Sequence, residues 1–311
     1  MSAQDARTSD GTTAGQTESV ALAPAQAIAR KDSRQRWWRA LLRHRTGMIG
    51  AVLLLLVVAA AALAPLLAPH DPTQVHFDTP FQRPGTVGFV LGTDNLGRDV
   101  LFRMLYGARA SLEVGILAVV LSTVVGTPLG LAAGYWKSAN AVISRVTDVA
   151  LAFPFLIIAV GLAAIRGASL SNAVLALGIA HIPQMIRVVR GETLRLKSTD
   201  FVMAAVAMDA SSVRIVSRHI LPNCVSAIIV QATIIMPGAV LGEAVLSFLG
   251  LGIQPPMPSL GVMLSDAQQY MSQDAWLGVF PGALIAIICL SFNLFGDGLR
   301  DVLDPASHDR K

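Results

Sequence analysis

Charge is what this sequence has least of. Asp, Glu, Lys and Arg make up 14% of its 311 residues, against roughly 25% in an ordinary soluble domain. Hydrophobic residues make up 53%. That balance excludes a water-soluble globular protein and points to a chain that crosses a membrane several times. The net charge of +4 is too small for a nucleic-acid surface, and no nucleic-acid partner is expected. Cysteine is nearly missing as well. Cys224 and Cys289 lie far apart in apolar stretches, so they form no metal or redox spacing and are expected to pack as small residues. No GxxxxGK[ST] phosphate loop, HExxH or GxSxG occurs, which leaves no encoded site for ATP, for a metalloprotease or for a serine hydrolase. No catalytic residue, metal or cofactor is assigned. The first residues, rich in Ser, Thr, Gln, Gly and Ala, lack the basic-then-apolar pattern of a signal peptide. Residues 1–33 are expected to be a disordered cytoplasmic tail.

What is present is long apolar runs. A membrane span needs about 20 apolar residues to cross roughly 30 Å of hydrocarbon. Segments 46–69, 114–136, 167–186, 220–242 and 275–296 meet that length without a charge inside them. A sixth candidate, 149–165, is short and extends back to Ala141 if Arg145 and Asp148 are tolerated. Six spans put both termini on one side. With that side taken as the cytoplasm, 19 of the 24 Lys and Arg residues fall inside, as the positive-inside rule requires. The expected architecture is all-α and polytopic, with six transmembrane helices. Residues 34–45, RQRWWRALLRHR, read as an amphipathic helix lying in the cytoplasmic interface, or as an ordinary positive flank of the first span. The membrane domain covers 46–305, and a short cytoplasmic tail covers 306–311.

Ionisable residues inside a membrane are functional candidates. Asp148 stands three residues after Arg145, near the inner end of span three. It either forms an ion pair there or lines a translocation path. Glu243, at the outer end of span five, either lines that path or reaches the outer interface. Asp297 and Arg300 mark the exit of span six, and His181, near Pro183, is expected to be packed or interfacial.

Between spans four and five runs FVMAAVAMDASSVRIVSRHILPN, residues 201–223. Thr199 or Asp200 can cap a helix that begins near Phe201. Ala204, Ala205 and Ala207 allow close approach to a partner surface. The chain turns at 209–212, where Ser211 or Ser212 can cap a second helix bearing Arg214 and Arg218. Leu221 and Pro222 then open span five, a position that suits proline. Because both flanks enter the membrane, a DNA-binding helix-turn-helix is excluded. A structural loop and a docking element remain.

This segment, together with 91–115 (LGTDNLGRDVLFRMLYGARASLEVG), 247–264 (SFLGLGIQPPMPSLGVML), 292–305 (FNLFGDGLRDVLDP) and His70-Asp71-Pro72, resembles the dipeptide/oligopeptide/nickel class of ABC-transporter permeases. The likeness is closest to the C-type subunit and runs over 36–305. The resemblance implies a type I ABC importer permease fold in a bacterial cytoplasmic (inner) membrane. It implies that 198–220 is the EAA coupling loop that docks onto a partner ATPase. The coupling residues would be Met203, Ala204, Ala205, Asp209, Ser211, Arg214, Arg218, Leu221 and Pro222. The implied partners are a second homologous permease, two ATP-binding subunits or domains, an extracellular solute-binding protein and membrane lipid. The implied solute is a dipeptide or oligopeptide, with nickel or an oligosaccharide as alternatives. Where the family pattern has Glu this chain has Met203, and where it has Gly this chain has Asp209. Asp209 either takes the left-handed backbone conformation that Gly favours or caps the second helix. The rival from another class is an ion-driven secondary transporter. It would need coupling-ion sites, for which only Asp148 and Glu243 are available, near opposite faces.

The charge distribution makes a direct prediction. Thr13→Cys and Ser307→Cys should be modified only by thiol reagent on the cytoplasmic side, and Pro258→Cys only from outside. Opposite accessibility at any of them would overturn the six-span arrangement.

Overall fold

The computed structural model of the chain describes residues 44–67 and 71–303. The expected interfacial helix and both tails lie outside the described residues, apart from His44 and Arg45. Regular structure among the described residues is helical, with two isolated bridges in an outer loop. The first span is α1, Arg45–Ala62, followed by one further turn, α2, Ala64–Leu67. His44 caps α1 by accepting the Gly47 N–H. A non-helical stretch then leads to α3, Val100–Tyr135, a helix of 36 residues capped by Asp99, whose carboxylate accepts the Phe102 N–H at 3.1 Å. At 1.5 Å per residue α3 is about 54 Å long. It starts 14 residues before the expected span at 114, because nothing in 100–113 breaks a helix once Asp99 has started it. Its first turns therefore stand beyond the hydrocarbon and carry Arg103 and Arg109 with them.

The third expected span is not straight. It consists of α4, Lys137–Ala152, and α5, Phe155–Arg166, bent by 86°. Pro154 is the cause. Its ring disfavours helical backbone at the residue before it, and Phe153 accordingly sits extended, at φ −85° and ψ 126°. Helix α6, Leu170–Lys197, runs well past the expected end at 186, so its last turns project from the membrane. Helix α7, Asp200–Ala207, follows directly. The chain then climbs through α8, Ser212–Arg214, and a π-helical stretch, Ile215–Ile220, into α9, Leu221–Phe248. The short outer helix α10, Leu260–Gln268, and the last span α11, Trp276–Leu303, complete the described chain. Helices α1, α3, α6, α11 and the continuous Ser212–Phe248 segment are each long and apolar enough to cross a membrane, and the bent α4–α5 pair supplies a sixth crossing if it counts as one span.

Small residues set the packing. Gly126, Gly130 and Gly134 recur one turn apart on α3 and face α6. A Cβ at these positions would come within 2.7 Å of the Met185 Cβ, 2.7 Å of the Val189 Cβ and 2.4 Å of the Thr193 Cβ. Lipid tails are as apolar as leucine, so hydrophobic burial does not drive helices together in a bilayer. Close backbone approach at small residues does. Helices α1 and α11 cross in the same way, Gly47 against Gly298. A core of Leu112, Met236, Val240, Ile285 and Ile288 joins α3, α9 and α11. Large apolar side chains such as Leu55, Leu56, Ile116 and Val124 point outward, as a hydrocarbon solvent permits.

Gly130→Ala should therefore destabilise the protein by about 1–3 kcal/mol through overpacking. Gly191→Ala, on the facing helix α6 but with nothing within 4 Å of the added methyl, should be neutral or stabilising by up to ~1 kcal/mol. Unfolding midpoints of the two variants in detergent check this, and equal midpoints would refute the seam.

Candidate functional site

The segment that follows α6 is a compact, one-sided element. Thr199 occupies the cap position of α7 but makes no side-chain cap bond; its hydroxyl donates instead to the Leu196 carbonyl at 2.6 Å. Along α7, Val202 and Ala205 turn inward, with 1% and 2% of their surface exposed. They join Val189, Leu196, Ile215, Ile220 and Cys224 in one buried cluster. The opposite face exposes Phe201, Met203, Val206 and Met208. Ala204 and Ala207 are exposed beside them. The expectation that Ala205 approaches a partner is thereby corrected. Helical periodicity puts it three residues from Val202 on the inner face, and a large side chain there would disrupt the protein's own packing.

The turn after α7 has a defined hydrogen-bond signature. The Asp209 N–H donates to the Val206 carbonyl at 3.0 Å, and the Ala210 N–H donates to the Ala205 carbonyl at 3.1 Å. This paired pattern is a Schellman motif, which requires a left-handed residue at its first position beyond the cap. Asp209 is that residue, with φ +56°. Of the two roles open to it, the structure selects the backbone one. The cap of the second helix falls to Ser211, which holds the position without a side-chain bond. Nor is that second helix separate from span five. It runs through the π-helical stretch into α9. The wider stretch lies just ahead of Pro222, whose missing N–H cannot close an ordinary helical bond. Val213, Arg214, Arg218 and Pro222 are exposed, whereas Leu221 is half-buried.

The two membrane carboxylates are far apart in character. Asp148 pairs with Arg187 of α6 at 3.6 Å, not with Arg145, and both partners are exposed. Glu243 is fully buried. It accepts hydrogen bonds from the Ser111 hydroxyl of α3 and, at 2.7 Å, from Ser247 one turn along α9. Ser259, the cap of α10, lies against the same carboxyl. In this conformation Glu243 reaches neither the outer interface nor an open groove. It ties α3, α9 and the start of α10 together. His181 is half-buried, with its Nδ1 2.7 Å from the Leu177 carbonyl. Asp297 and Arg300 are exposed near the end of α11.

Sequence reasoning missed an outer ion cluster. Asp94 accepts from the Arg98 Nε at 2.7 Å and from the Arg103 guanidinium, while Asp266 of α10 sits 3.4 and 3.3 Å from the same two arginines. Arg98 and Arg103 are buried. Two positive and two negative groups balance, and they clamp the loop before α3 to α10. The signal was available as four charges within ten residues, 94–103, of an otherwise charge-poor chain. The partner at 266 was not, because 163 residues separate it from Arg103. Near the same end of α3 lies a groove of about 740 Å³, walled by the start of α3, Leu170 and the loop after α9.

Comparison with known proteins adds the following. Residues 126–308 match the family model "binding-protein-dependent transport system inner membrane component", and residues 34–84 match "N-terminal TM domain of oligopeptide transport permease C". A putative peptide transport system permease protein of Brucella abortus is 45% identical over 267 residues, covering 86% of this chain and 90% of that one. The dipeptide transport system permease protein of Escherichia coli K12 is 42% identical, covering 87% and 92%. A glutathione transport system permease protein of Pectobacterium atrosepticum is 40% identical, covering 91% and 96%. Among solved structures, an inward-facing form of the MetNI methionine ABC transporter superposes with a TM-score of 0.55 at 21% identity, over 65% of this chain and 96% of that one. That likeness concerns the fold.

The Schellman turn generates a sharp test. Asp209→Gly should be neutral or stabilising. Asp209→Val should cost about 1–2 kcal/mol of local stability, because a β-branched residue resists the left-handed region. Hydrogen exchange of the Ala210 amide reads the difference; equal protection in the two variants would remove the turn's special geometry.

Proposed function

The chain belongs to the family of binding-protein-dependent transport system inner membrane components, and from that premise we propose that it is the membrane-spanning permease subunit of an ATP-driven importer of short peptides. It is a transport permease and carries no reaction of its own. ATP hydrolysis falls to two partner ATP-binding subunits or domains. A second homologous permease completes the translocation path, and an extracellular solute-binding protein delivers the peptide. The relatives named for peptide, dipeptide and glutathione transport support that solute class over nickel or an oligosaccharide. Both termini lie in the cytoplasm of a bacterial cell, with 1–33 and 306–311 as tails, 34–45 in the interface and 46–305 in the membrane.

The observation that carries the reading is the one-sided build of 198–220. Its inner face is locked to the ends of α6 and α9 by Val202, Ala205, Ile215 and Ile220, while its outer face exposes Phe201, Met203, Val206, Met208 and Val213. Exposed apolar side chains on a short helix outside the membrane mark a protein contact. Met203, where the family pattern has Glu, makes that contact more apolar. Because the segment continues into α9 without a break, a displacement imposed on it by a closing ATPase reaches the spans directly. Arg214 and Arg218 supply charge at the rim. An ion-driven mechanism is disfavoured because Glu243 is tied to serine hydroxyls and Asp148 to Arg187.

Val206→Glu and Met208→Glu should leave the membrane domain folded. Each should weaken co-purification of the ATP-binding subunits and lower ATP-dependent dipeptide uptake roughly tenfold, the effect of burying one unpaired charge in an interface. Ala205→Arg should instead lower the amount of folded protein. Unchanged co-purification and uptake for the two Glu variants would place the docking surface elsewhere.

A further inference from the structure

The outer groove holds two charges that nothing in the fold explains. Arg109 and Glu113 stand one turn apart on α3, both exposed and both lining this groove. At that spacing the two side chains could reach each other, yet neither makes an ion pair among the described residues. Just below them the same face of α3 continues as Ile116, Leu117, Val120 and Val124, all exposed, so the pair lies at the margin of the hydrocarbon. Charges at that depth face water or protein rather than lipid. The groove thus lies at the end of the apolar belt opposite α7.

We propose that this groove receives a short peptide with free ends, Arg109 taking the carboxylate and Glu113 the ammonium. The inference rests on the peptide-import reading above and adds a site to it. Five features agree. The groove's volume of about 740 Å³ falls in the roughly 300–1,000 Å³ range of small-molecule sites. One helical turn separates the two charges by about 6 Å along the axis, close to the ~7 Å reach of two extended residues. Asp71 adds a second acidic group at the rim; the Thr73 hydroxyl and then the Thr73 N–H bond to it and hold its carboxyl below the usual carboxylate range. Leu170, Ile253 and Met257 supply apolar wall beside the neutral polar groups of Tyr106 and Gln254, which suits a solute whose ends are constant and whose side chains vary. The groove also opens on the side from which the delivered solute must enter.

The test uses the assembled transporter carrying Met257→Cys, at a groove-lining position that is 60% exposed, with a water-soluble maleimide as reporter and the parent complex as the control for Cys289. Dialanine should slow modification, and N-acetyl-dialanine amide should not. Arg109→Ala or Glu113→Gln should raise the half-protecting dialanine concentration about tenfold, the loss of one charge-assisted contact. Arg109→Lys, which keeps the charge, should retain most of the protection and so separates recognition from misfolding. Equal protection by the blocked peptide would overturn the site, as would undiminished protection in both charge variants. So would a complex that imports dialanine but shows no protection by it, or protection that appears only on adding phosphatidylethanolamine. A complex that imports no dialanine at all would overturn the import reading itself, and this site with it.

Discussion

Backbone contact between α3 and α6 is the constraint on which the rest of the molecule depends. Three glycines one turn apart remove every Cβ from that face of α3, and Met185, Val189 and Thr193 of α6 occupy the space. Each side chain is held by the absence of another, so the register of the two helices is fixed over more than two turns. Every functional element hangs from this pair. Helix α6 passes through Ser198 and Thr199 into α7, and the inner face of α7 packs on Val189 and Leu196 near the end of α6. At its other end α3 carries the groove and one side of the ion cluster. The exposed apolar face of α7 at one end and the groove at the other thus share one rigid two-helix frame.

Polar groups are placed where that frame can satisfy them. A carboxyl in the membrane interior is costly unless it is hydrogen-bonded, and Glu243 finds hydroxyls on two helices and the cap of a third. Outside the hydrocarbon, Asp94, Arg98, Arg103 and Asp266 form a charge-neutral clamp across two segments. Breaking such a pair strands a buried charge, whereas the intact group adds little net stability. Its contribution is to fix where α10 sits relative to the start of α3. Arg109 and Glu113 contrast with both arrangements, being charged and exposed with no ion pair among the described residues.

Much of the coupling segment was legible in the chain. Two apolar spans flanked it, Ser and Asp marked its turn, and Asp209 is among the few residues that accept a left-handed backbone, so the turn's place was legible while the choice between backbone and cap was left to the structure. The face of α7 that would meet a partner could not. Ala204 and Ala205 are chemically identical, and only the packing of Val202 against Ile215 and Ile220 decides that Ala205 is inside and Ala204 outside. The bend at Pro154 was half-legible: proline announced a break, but the 86° angle between α4 and α5 was not in the residue order.

By itself the sequence determined that this is a helical membrane protein and which segment lies between its long apolar runs, because these follow from composition along the chain and from the energetics of moving charge out of water. Tertiary structure decided which residues meet: the glycine seam, the salt-bridge partner of Asp148, the burial of Glu243 and the joining of Asp94 to Asp266 across 172 positions. The physical reason is range. Hydropathy and capping act over one or two helical turns, whereas packing and ion pairing depend on distances in space that the order of residues does not contain.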